Sequence, residues 1–198
     1  MEAQDLSEAI TLIMEQRGWS QVRLGANSEK AVVYAQRGLR ILGITDEIKA
    51  YLNACLACGF ANIPGQERQT RTAIDRALSV EDLPEVERAN IMGFLGSALR
   101  DANAHCEALA MLDEAACLSA PLSPFYRAVY LGDQVLIALG TREPSRAASL
   151  MRTLAYVVPL VDSTEVDRQV RHILDSSKPW AAVPEIRTAR ERLQFVKA

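Results

Sequence analysis

The residues best equipped for chemistry are few and scattered. Cys55 and Cys58 form a C-x-x-C within AYLNACLACGF. A zinc site built on that pair needs two further ligands close in space. A redox pair of this spacing normally opens a helix after a strand. Here the surroundings are apolar and helical in pattern with no strand before them, so the pair reads as small side chains packed at a helix crossing. His105 and His172 are the only histidines. Each lies among charged or polar neighbours without a ligand partner at i+4, and both are expected at the surface or a loop edge. The LGSAL run at 95–99 matches a nucleophile elbow only superficially, and no glycine-rich loop is built to cradle phosphate. Asp75, Asp113 and Glu114 fall on helix faces that solvent normally covers. The chain is therefore expected to be non-enzymatic, with no cofactor and no metal.

The elements that must position these residues repeat along the chain. Arg88-Ala89 recurs as Arg127-Ala128 and Gly93 as Gly132, each 39 positions on, and Lys49-Ala50 lies 39 positions earlier. Ala108, Leu112, Ala115 and Pro121 return as Ala147, Met151, Leu154 and Pro159. Ile74 and Ala77 stand 38 positions before Leu112 and Ala115. The stretch from Arg88 to Pro121 carries Leu95-Gly96, Leu99 and Ala108 at the spacing of a two-helix hairpin closed by small residues. It resembles the tetratricopeptide repeat, with Met92 where that family prefers tryptophan and Asn103 where glycine is common. The resemblance implies an all-α fold of antiparallel helix hairpins, stacked as a TPR-like right-handed solenoid of about ten helices with a charged capping helix from about Pro184.

Local signals set the boundaries. Leu6, Ile10, Ile13 and Met14 predict a helix over 6–17 that Gly18 stops. Ser28 can cap a helix running to about Leu42, with Ala31, Val32, Ala35, Leu39 and Leu42 inward. Thr45 opens the next helix, NIPGQ at 62–66 is a turn, and a further helix starts near Pro84. Helices begin at Ser123-Pro124 and at Ser163/Thr164. In a stack of hairpins the first helices line a concave surface. Tyr51, Asn90, Ser97, Arg100, Asp133 and Leu136 are the partner-binding candidates there, and Gly93 and Gly132 would let a peptide backbone approach.

RGWSQ at 17–21 resembles the helix-turn-helix of Cro/repressor-type regulators of the xenobiotic-response-element family. Leu24, Ser28, Val32 and Arg37-Gly38 continue that pattern, although LGANS at 24–28 is about three residues shorter than the family's spacing. The segment from 45 to 195 resembles the TPR-like region that follows the DNA-binding head in actinobacterial members. The resemblance implies that Ser28, Glu29, Lys30, Val33 and Tyr34 would face a DNA groove if the head reads DNA. Residues 1–43, however, carry as many acidic as basic side chains, whereas phosphate binding needs a cationic face. Two segments are thus expected within one continuous domain, 1–43 as a hairpin or degenerate helix-turn-helix and 44–198 as the repeat region with its capping helix.

Composition agrees with this class. The 198 residues are 49% hydrophobic but only 6% aromatic, which suits helices packed closely on helices. A formal net charge of −3 argues against a whole-surface grip on nucleic acid. No apolar run approaches a membrane span. MEAQDLSEAI lacks the basic start of a secretion signal, so a cytoplasmic location is expected. The expected function is a regulatory interaction module holding a protein or peptide on a concave TPR-like surface, with a homodimer compatible. The alternative is a DNA-binding regulator with a shortened helix-turn-helix.

Overall fold

A computed structural model describes residues 27–119 and 123–196. Among these residues the chain is all-α: nine α-helices, two 3-10 turns and no strand. In order they are α1 (Ser28–Gly38), α2 (Asp46–Ala61), α3 (Glu67–Leu78), α4 (Glu85–Asp101), α5 (His105–Ser119), α6 (Pro124–Gly140), α7 (Pro144–Val157), α8 (Thr164–Ser176) and α9 (Pro184–Phe195). No described helix is long and apolar enough to cross a membrane. The expectations for residues 6–17, Gly18, RGWSQ, Leu24 and Pro121 lie outside the described residues.

Helix starts follow side-chain chemistry. The hydroxyls of Thr45, Ser123 and Ser163 accept from the backbone N–H groups of Ile48 (3.3 Å), Phe125 (3.2 Å) and Glu165 (3.3 Å). Pro124, Pro144 and Pro184 occupy first-turn positions that need no donor. At α1 the cap is Asn27 rather than Ser28. Its Oδ1 accepts from Lys30 N at 2.9 Å, and Ser28 is already helical. The same helix ends earlier than its apolar pattern suggests. After Gly38 the backbone tightens, with Arg40 N donating to Arg37 O and Ile41 N to Gly38 O. Leu42, expected on the inner face, is consequently 89% exposed.

The chain divides into two compact units, Met1–Ala108 and Leu109–Ala198. The division expected after residue 43 falls inside the first unit. There α2 is the central helix, with α1, α3 and α4 packed on it. Every residue from Leu52 to Gly59 is buried, because α2 has neighbours on several sides. Gly59 allows α1 its close approach: a Cβ there would stand 2.7 Å from Val32 Cγ2. In the second unit α6 is central, flanked by α7 and α8, and α9 packs mainly on α7. Tyr130, Ile137, Met151, Leu154, Ile173 and Ile186 fill that core.

The recurrence read in the sequence has a structural counterpart. Ala50, Ala89 and Ala128 are all fully buried, as are Ala31, Ala108 and Ala147 at their shared position. The turns repeat too. After α4, Asn103 adopts φ 59°, Ala104 N donates to Leu99 O (2.8 Å) and Asn103 N to Arg100 O (2.9 Å). After α6, Arg142 adopts φ 61°, Glu143 N donates to Ala138 O (2.8 Å) and Arg142 N to Leu139 O (3.3 Å). Both are Schellman motifs, in which a left-handed residue closes the helix end. Asn103 and Arg142 are the left-handed residues of these two turns. Asparagine tolerates that conformation better than arginine does.

Candidate partner-binding surface

The first-helix residues singled out by spacing are divided between the two units. Tyr51, Asn90, Ser97 and Arg100 belong to the first, Asp133 and Leu136 to the second. Within the first unit the fold brings Tyr51 and Asn90 together. Asn90 is nearly buried and its Nδ2 donates to the half-buried Tyr51 hydroxyl at 3.2 Å, joining α4 to α2. Ser97 spends its hydroxyl on its own helix, donating to Gly93 O at 3.1 Å. Arg100 is held flat against Asp101, with Nε and Nη2 donating to Oδ1 at 2.8 and 2.6 Å. Asp101 also accepts from Asn62 Nδ2 at 2.8 Å, a link from the end of α2 to the end of α4. Tyr51, Ser97 and Arg100 are half-buried, so each keeps some surface for a partner.

In the second unit Asp133 is buried, at 2% exposure. Gln169 of α8 reaches across, its Nε2 donating to Asp133 Oδ1 (2.8 Å) and to Val129 O (3.0 Å). Gly132 makes room for that side chain: a Cβ there would lie 2.3 Å from Gln169 Cδ. Gly132 therefore serves the neighbouring glutamine, not the peptide backbone it was expected to admit. Leu136 is half-buried on the same helix.

The cysteine pair is where packing would put it. Cys55 and Cys58 are free and buried, and the Cys58 thiol donates to Phe94 O at 3.2 Å across the α2–α4 crossing. His172 is exposed, as expected. His105 is half-buried, with a buried Nδ1 that has no hydrogen-bond partner. Asp113, expected in solvent, is exposed yet accepts from the buried Gln134 Nε2 at 2.7 Å. Among the residues of the alternative reading, Glu29, Lys30 and Val33 are exposed, and Ser28 and Tyr34 half-buried. They share α1 with Ala31, Val32 and Ala35, which are buried.

Spacing alone missed a cleft in the first unit. It measures about 550 Å³ and is lined by α1, α2 and α3, with a floor of Leu39, Leu56, Phe60 and Ala73. Its walls carry Gln36, Arg40, Arg68, Gln69, Thr72 and Arg76. Arg68, Thr72 and Arg76 are four apart on α3, a pattern visible in the sequence as a charged helix face. What the sequence does not show is that Arg40, in the turn after α1, stands over the same floor.

No family model matches the chain, and neither a curated protein nor a solved structure does.

Proposed function

We propose that the chain is a regulatory interaction module whose first helices hold a protein or peptide partner. The observation carrying this reading is the repeated hairpin, with its alanine positions and its Schellman turn reproduced 39 residues apart. A repeat of this kind adds surface with each copy and suits the holding of an extended partner. In this reading the hairpins stack as a right-handed TPR-like solenoid, residues 6–42 form its first hairpin, and Tyr51, Ser97, Arg100 and Leu136 meet the partner. Two side chains that chemistry could draw on are committed to the fold. Cys58 bonds a backbone carbonyl, and Asp133 is held by Gln169.

The alternative, a DNA-binding regulator, draws on the exposed Glu29, Lys30 and Val33 of α1. The buried Ala31, Val32 and Ala35 of the same short helix weigh against it, since they tie α1 to the repeat region. One experiment separates the two readings. A photo-crosslinking residue is placed at Ser97 or Leu136, and DNA binding is measured for the wild type and a Lys30→Glu, Tyr34→Ala double variant. Discrete protein adducts from both positions, with no sequence-specific DNA binding, are expected. Salt-sensitive, operator-specific binding that disappears in the double variant would replace the proposal by the alternative.

A further inference from the structure

The cleft of the first unit lies apart from the first-helix row, and its walls and floor have a consistent geometry. Gln36 on α1 and Arg40 in the turn just after it form one wall. Arg68, Thr72 and Arg76 are four apart on α3 and form the other. Leu56 and Phe60, four apart on α2, lie between them. Residues at this spacing form ridges along a helix, so α2 and α3 give the groove two ridges, and Gln36 and Arg40 close its third side. Along α3 it extends for about 12 Å, roughly two helical turns.

Its charge is one-sided. Among the described residues three arginines line it and no carboxylate does. Arg40, Arg68 and Arg76 form no ion pair among the described residues, although Arg71, on the same helix as Arg68 and Arg76, pairs with Glu107. Guanidinium groups favour carboxylates because the planar donor fork matches the two carboxylate oxygens. An apolar floor with cationic rims on both sides therefore fits an elongated ligand with one apolar face and carboxylates along its flanks.

We propose that this groove docks an acidic amphipathic helix of a partner protein. Two or three apolar side chains at i, i+3 or i+4 would sit on Leu56, Phe60 and Ala73. Glutamates or aspartates on either flank would meet Arg40 on one side and Arg68 and Arg76 on the other. A helix uses all three sides, whereas a compact anion would engage only one end. This is the helix-in-groove mode, with charge complementarity setting orientation and specificity.

The test is a display selection of random 14-residue peptides on the full chain, followed by charge exchange. The expected winners carry apolar residues at helical spacing and an excess of Glu and Asp. Their affinity should fall about tenfold or more in an Arg68→Glu, Arg76→Glu variant and fall with added salt. Both arginines are exposed, so the variant should keep the helical spectrum of the wild type. Lysine-substituted winners should bind that variant better than they bind the wild type. No enrichment, enrichment of basic or non-periodic peptides, or binding indifferent to the charge reversal would overturn the proposal. A photo-crosslinker at Thr72 tests two other occupants. Adducts to residues 1–16, which carry Glu2, Asp5, Glu8 and Glu15 and no base, would assign the groove to this chain's own segment. Adducts to the same groove in a second copy would assign it to self-association. Either result overturns the partner helix.

Discussion

The two central helices, α2 and α6, solve the same packing problem with opposite chemistry. Each is buried along most of its length and each uses a glycine to admit a neighbour's side chain. In α2, Gly59 receives the methyl group of Val32. In α6, Gly132 receives the carboxamide of Gln169, which then holds the buried Asp133. The contrast is sharpest at one position of the 39-residue frame, where Cys55, Phe94 and Asp133 occupy corresponding places and all are buried. The backbone frame thus specifies a buried side chain at this position. Whether the site is oily or polar depends on what the adjacent helix presents. A polar solution demands a specific partner, because a buried carboxylate left unpaired is costly. An apolar one asks only for shape.

Gln169→Leu should therefore have the largest effect. It removes a donor from Asp133 and from Val129 O together, and about 3 kcal/mol of stability should be lost, localised to α6 and α8 in hydrogen exchange. Adding Asp133→Leu should recover most of that loss. A double variant no better than the single one would show that the cost is shape and would remove the polar half of the contrast. In the first unit Gly59→Leu should cost about 2 kcal/mol by overpacking the α1–α2 crossing. Its loss should appear as faster exchange in α1, and polar substitutions at Val32 should not relieve it.

Two smaller changes probe the frame shared by both units. Arg142 occupies a left-handed position that glycine adopts without strain, so Arg142→Gly should raise stability by about 1 kcal/mol in urea unfolding. Asn103→Gly should gain less, since asparagine already tolerates that conformation. The smallest effect concerns Arg71 and Glu107 in the first unit. The Arg71 side chain donates to Glu107, with Nη2 to Oε1 at 2.7 Å, and that hydrogen bond holds the Glu107 carboxyl below its usual range. The pair's contribution is present above the ordinary glutamate pKa and is lost as pH falls through the lowered one. Both groups are about half exposed, so solvent screening leaves on the order of 0.3 kcal/mol. Arg71→Gln should abolish that acid-side loss, leaving the acid limb of the stability profile shallower in thermal melts across pH.

By itself the sequence determined the all-helical class, the order of the helices and the recurring hairpin, because these rest on local physics. Threonine and serine caps, first-turn prolines and apolar residues three or four apart act within a single turn of helix, and Thr45, Ser123 and Ser163 cap where their spacing placed them. The burial of the Cys55–Cys58 pair was legible for the same reason. Asn27 displaced Ser28 as a cap because two adjacent capping residues compete, and only the folded backbone selects between them. Tertiary structure alone decided which first-helix residues keep exposed surface. Asp133 lies one turn from the half-buried Leu136, yet it is buried and bonded by Gln169, 36 residues away. The arginine-lined groove was equally invisible. Arg40 follows the end of α1 and Arg68 lies on α3, unremarkable charged positions in the sequence, and they line one groove because α1 settles on α2 beside α3, with Gly59 at the α1–α2 crossing. Local propensity writes the elements, while the facing of one element against another depends on side chains that are distant in the chain.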